Sequence, residues 1–147
     1  MPTLSEILLT PERKPQVAAD CLALIDAELA GKSGISGGAL KLAFRTVNGF
    51  ASGYVRQRVE SILPQAVSEL EPYWASFQQE GGGKFGDYLA ARGPKVADDL
   101  LSITDNMAQR STNAVVVRSY KTVRGGAAKH VQAALPRVGE LVHKYAA

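Results

Sequence analysis

The sequence predicts an all-α protein, and two observations carry that prediction. Apolar residues recur at helical spacing along most of the chain, and no stretch alternates cleanly as a half-buried strand would. The chain also aligns with itself: residues 4–73 and 85–146 read as two diverged copies of one helical unit. The expected architecture is an internally duplicated helical bundle, two pseudo-symmetric multi-helix units packed as one domain over residues 1–147.

Taken in order, Leu4-Ser5-Glu6-Ile7-Leu8 opens the first copy and resembles Phe85-Gly86-Asp87-Tyr88-Leu89 of the second. Val17, Cys21, Leu24, Ile25 and Leu29 then fall at i, i+4, i+7, i+8 and i+12, one face of a helix. Pro15 suits its first turn and Gly31 its end. Ser36 reads as the N-cap of a helix carrying Leu40, Ala43, Phe44 and Val47, terminated by Gly49. Tyr54 begins the last pattern, Val55, Val59, Ile62, Leu63, Ala66, Val67 and Leu70. Pro64 interrupts it, as Pro136 interrupts the second copy, which predicts a kink or a break there, because a mid-helix proline costs about 3 kcal/mol. Val115-Val116-Val117 is strand-like alone, but its counterpart Ala39-Leu40-Lys41 reads as helix, so helix is expected. Gln78–Lys84, with three consecutive glycines, is the expected linker between copies.

The self-alignment rests on several stretches. Val17–Asp26 against Val96–Asp105 matches at Val17, Ala18, Asp20, Leu22 and Asp26. Phe44-Arg45-Thr46-Val47 pairs with Tyr120-Lys121-Thr122-Val123, Leu63-Pro64 with Leu135-Pro136, and Tyr73 with Tyr145. The offsets, read from Leu4/Phe85, Val17/Val96, Phe44/Tyr120 and Val59/Val131, fall from 81 to 79, 76 and 72. Each step is a deletion at clustered turn residues, where loops tolerate a change of length.

Composition excludes several classes. With 46% apolar and 21% charged residues the chain is neither disordered nor a membrane span in composition. Cys21 is the only cysteine, so no disulfide framework or thiolate cluster exists, and the N-terminal sequence does not read as a signal peptide. A cytoplasmic location is the expectation. The net charge of +3 is unevenly spread: residues 29–59 carry Lys32, Lys41, Arg45, Arg56 and Arg58 without an acid, and residues 106–139 carry six cations without one.

These basic segments are the best functional signal. Lys41, Arg45, Arg118, Lys121, Arg124 and Lys129 form a candidate anion-binding surface, able to attract a phosphorylated ligand, an anionic membrane or nucleic acid if they share a face. The competing reading is a solvated surface answering the acidic helices. Asp20/Asp99 and Asp26/Asp105, kept in both copies, are expected in structural ion pairs or caps, with Arg45 or Lys121 as natural partners. Cys21 lies on an apolar face and reads as core. His130 and His143 lack companion ligands for zinc. Gly81-Gly82-Gly83-Lys84-Phe85 lacks the strand, spacing and hydroxyl of a phosphate loop. Tyr73-Trp74-Phe77 is expected to cap the core between units or to line a pocket.

Ser5-Glu6-Ile7-Leu8-Leu9, Val17-Ala18-Ala19-Asp20, Lys32-Ser33-Gly34, Leu63-Pro64, Phe85–Leu89 and Ala134-Leu135-Pro136 resemble a family of small uncharacterised bacterial proteins, over nearly the whole length. That resemblance implies a single intracellular domain of unknown function and lends no activity, cofactor or catalytic residue. The function expected is a non-enzymatic helical binding protein, with its site at the seam between copies or on the basic face and no cofactor. Its partner would be an anionic or amphipathic small ligand, or a protein. The alternatives are a metal-dependent enzyme drawing acids such as Asp26 and Asp105 from both copies, and an electrostatic nucleic-acid binder.

Overall fold

A computed structural model describes residues 3–31, 34–50 and 54–146, with backbone alone at 34–36, 47–50 and 54–55. Every regular element among them is helical: α1 (Leu4–Leu8), α2 (Lys14–Ala30), α3 (Gly34–Phe50), α4 (Tyr54–Gln79), α5 (Phe85–Ala90), α6 (Gly93–Arg110) and α7 (Ala114–Ala146). None of these helices is long and apolar enough to cross a membrane.

Local chemistry sets the helix starts. The Thr3 hydroxyl accepts the Glu6 N–H ahead of α1, and the Asn113 side chain accepts the Val115 and Val116 N–H groups ahead of α7. Pro15 and Pro94 occupy the first turns of α2 and α6, where no N–H partner is needed. Short helices cannot hold themselves in water, so α1 and α5 depend on neighbours. Glu71 of α4 accepts the Leu4 and Ser5 N–H groups at 2.9 and 3.2 Å. His143 of α7 accepts the Phe85 N–H through Nε2 at 3.0 Å. The turn between α4 and α5 runs through Gly81, Gly82 and Gly83 at φ of 94, 101 and 104°, which side chains rarely adopt.

The core lies where α1 and α5 meet the C-terminal parts of α4 and α7. Leu4, Ile7, Leu8, Phe85 and Leu89 pack there against Leu63, Val67, Leu70, Leu135 and Val142, with Val17 and Val96 entering from α2 and α6. Trp74 meets Phe85 edge-on at 5.0 Å between ring centres, and Phe77 adds a tilted contact at 5.2 Å. Tyr73, Trp74 and Phe77 are all buried, as expected of a core cap. On the α5 side the approach is close enough to exclude side chains. A Cβ on Gly139 would lie 2.1 Å from the Gly86 backbone nitrogen, and one on Gly86 would lie 2.9 Å from the Pro136 Cα.

Only Val17 and Ala18 of α2 are fully buried, and Leu42 of α3 is 60% exposed.

Three expectations are corrected. Pro64 and Pro136 do not break their helices, since α4 continues through Pro64 and Pro72, and α7 through Pro136. α3 starts at Gly34, so Ser36 lies inside it and is not its N-cap. Where the first half has two helices, α3 and α4, the second has the single 33-residue α7, with Gly125 and Gly126 inside it. The strand-like Val115–Val117 is helical, as read. Lys32 and Gly53 lie outside the described residues.

Candidate functional site

The six basic residues sit on two helices that pack side by side, α3 and α7. Arg45 is exposed on α3, on a stripe with Gly38, Leu42 and Thr46, whereas Lys41 is half-buried. Arg118, Lys121 and Lys129 are exposed on α7, and their spacings of three and eleven return them near one side of a helix. Arg124 is different. It is half-buried and grips Asp105 with both arms, Nε to Oδ1 at 2.8 Å and Nη2 to Oδ2 at 3.1 Å. That fork holds the Asp105 carboxyl below its ordinary range and raises Arg124. Arg137 is paired with Glu28 at 3.1 Å.

The carboxylates find partners other than Arg45 and Lys121. Asp105 takes Arg124 and the Tyr120 hydroxyl, residues four apart on α7 that share a face from which Lys121 points away. Asp20 accepts the Tyr145 hydroxyl at 2.5 Å and the Lys144 ammonium at 2.8 Å, both on its Oδ2. Lys144, then Tyr145, hold its carboxyl below the ordinary range. Asp99 accepts the Tyr73 hydroxyl at 2.5 Å. Asp26 is exposed, and among the described residues no three His, Cys, Asp or Glu side chains gather as metal ligands would.

The remaining candidates have structural roles. Cys21 packs against the core, and burial, then Asp20, pushes its thiol up to about 11. A thiol so seldom ionised is a poor nucleophile. His143 caps α5 and stands edge-on to Trp74 and Phe77. His130 is half-buried on α7. Lys84 is exposed at the glycine turn, and its backbone leads into α5.

One open cleft, of about 430 Å³, lies between α4 and the α5–α6 corner. Ser68, Glu69, Pro72, Tyr73 and Ser76 line it from α4; Tyr88, Arg92, Lys95 and Asp99 line it from the other side. Arg92 lies 3.6 Å over the centre of the Tyr88 ring, donates to the Tyr88 carbonyl at 3.1 Å and stands 3.8 Å from Glu80. Lys95 Nζ is 5.4 Å from the centre of the Tyr73 ring. Burial, then the bond to Asp99, pushes the Tyr73 hydroxyl up to about 12, so it stays a donor at neutral pH.

Sequence reading singled out Asp99 and Tyr73 separately, as members of two aligned pairs, and missed that they meet. It did not single out Tyr88, Arg92 or Lys95 as site residues. The available signal was the pairing itself: Asp20 with Asp99 and Tyr73 with Tyr145 invite the question of which aspartate each tyrosine reaches.

Among known families, a family of unknown function (DUF6918) matches residues 4–146. No curated protein and no solved structure matches the chain.

Proposed function

Because the chain belongs to that family of unknown function, we propose from its own surface that it is a non-enzymatic binding protein for an amphipathic anion, engaged on the outer face of α3 and α7. The observation that carries this reading is the exposure of Arg45, Arg118, Lys121 and Lys129 on acid-free stretches. Three acids that reach α7 are paired with other cations: Asp105 with Arg124, Glu28 with Arg137 and Asp20 with Lys144. Leu42, 60% exposed within a turn of Arg45, supplies an apolar side chain beside the charge. An anionic headgroup with an apolar tail answers both features.

We also infer that the binding face belongs to an internal duplication of residues 4–73 and 85–146. Positions aligned by sequence make matching bonds, which supports this. Leu4 and Phe85 donate their N–H groups to Glu71 and His143, themselves aligned. Arg13 and Arg92 donate to the Ile7 and Tyr88 carbonyls. Tyr73 bonds Asp99 while Tyr145 bonds Asp20, a reciprocal exchange of the kind that two copies related by a pseudo-twofold axis would make.

The test is binding to vesicles of phosphatidylglycerol compared with phosphatidylcholine and with short duplex DNA. Preference for the anionic vesicles, weakened by salt and by Arg45→Ala with Lys121→Ala, is expected. An unchanged affinity in the double variant would overturn the face, and preference for DNA would overturn the amphipathic ligand.

A further inference from the structure

We propose that the cleft between α4 and the α5–α6 corner binds a primary alkylammonium ligand, seated on the Asp99 carboxylate beside the Tyr73 ring. This site is independent of the basic face on α3 and α7.

The chain itself displays the complex. At the other tyrosine–aspartate bond, Asp20 Oδ2 accepts the Tyr145 hydroxyl and the ammonium of Lys144, the residue just before that tyrosine. The ammonium lies 5.4 Å from the centre of the Tyr145 ring. A carboxylate and a ring thus meet one alkylammonium, while the phenol hydroxyl donates to the same carboxylate oxygen.

At the cleft the same tyrosine–aspartate bond recurs between Tyr73 and Asp99, with the same 2.5 Å separation. The residue before Tyr73 is Pro72, which has no donor and forms part of the cleft wall. No ammonium reaches Asp99 from that position. Instead there is open volume of about 430 Å³, within the range of small-ligand sites.

The cations at the rim do not take its place. Arg92 is turned onto the Tyr88 ring and carbonyl with Glu80 nearby, and Lys95 lies over the Tyr73 ring, with no ion pair to Asp99 among the described residues. Glu69 is a second carboxylate in a lining that also carries Arg92 and Lys95, and a short diamine seats one ammonium on Asp99 and leaves the other for Glu69.

The experiment is titration of the full chain with 1,5-diaminopentane, read by NMR shifts and calorimetry. Saturable binding is expected, about tenfold or more weaker in Asp99→Asn, since a charge-assisted bond is lost. Pro72→Lys should abolish it by supplying the missing ammonium. Pro72→Ala, which removes the proline but leaves the cleft open, should keep it, as should Asp20→Asn. Absence of saturable binding up to about 10 mM would overturn the proposal. So would equal binding by wild type and Asp99→Asn, or binding of glutarate, a dicarboxylate of the same length, in place of the diamine.

Discussion

The two short helices α1 and α5 are held in the same way by different chemistry, and the difference shows what fixes each of them. α1 rests its first two N–H groups on a carboxylate, Glu71, and packs over Val67. α5 rests one N–H on a ring nitrogen, that of His143, and lies directly on the α7 backbone at Gly139. The first arrangement leans on a charge-assisted cap and the second on close approach. Exchanging their weak points should therefore have unequal costs.

The largest effect is expected at Gly139. Its added methyl would meet Gly86 backbone atoms at 2.1 and 2.3 Å, and backbone cannot rotate aside. Gly139→Ala should cost about 3 kcal/mol or more and expose the Phe85 ring, as thermal melting and tryptophan fluorescence from Trp74 would record. A change below about 1 kcal/mol would mean that α5 can lift away from α7 at little expense.

Next come the caps. Glu71→Ala strips acceptors from two N–H groups and should cost about 2–3 kcal/mol, against about 1–2 kcal/mol for His143→Ala. Hydrogen exchange at Leu4 and at Phe85 would report each loss locally. Equal losses would show that burial of Leu4 and Phe85, and not the cap, fixes both helices.

Much of this fold could be read directly. Helical periodicity gave an all-helical chain, the boundaries at Pro15, Gly31 and Tyr54 stand, and the glycine run is a turn. Of the kink and the break read at Pro64 and Pro136, the break does not occur, because propensity is a local cost. Leu63 and Leu135, each beside its proline, are buried in the core, and tertiary packing outweighs the lost bond. The partners of the aspartates were misread for a different reason. Proximity in sequence favoured Arg45 and Lys121, but which side chains meet depends on helix rotation and on contacts between halves. Tyr145 reaches Asp20 across 125 positions, and no periodicity encodes that. The cleft was illegible for the same reason, since its walls come from α4 and from the α5–α6 corner.

The two tyrosine–aspartate bonds sharpen the comparison at lower cost. Asp20 carries a lysine that Asp99 lacks, so Asp20→Asn should destabilise more than Asp99→Asn, with the gap closing in high salt. Acid should act on the same groups. The Asp20 and Asp105 carboxyls are held below their ordinary range, so the stability they contribute is present above the unfolded value, about 3.9, and is lost as pH falls through their lower folded values. Melting temperature should fall below about pH 4, and less steeply in Asp20→Asn.

The smallest effect lies at the alkaline end, where the two tyrosines should behave alike despite their different neighbours. Tyr73 and Tyr145 are each pushed up to about 12, by burial first and then by the aspartate each faces. A raised phenol favours the protonated form in the folded chain, so its contribution is whole below about 10, the unfolded value, and is lost as pH rises toward 12. Ultraviolet titration should therefore show these two phenols ionising late and together, with stability declining over that interval. Replacing the aspartate partner removes one cause and leaves burial, so Asp99→Asn and Asp20→Asn should each bring one tyrosine part of the way back toward 10. If Tyr145 alone moved, the Lys144 ammonium beside it would be shaping that titration, and the two bonds would differ in more than the ligand space beside them.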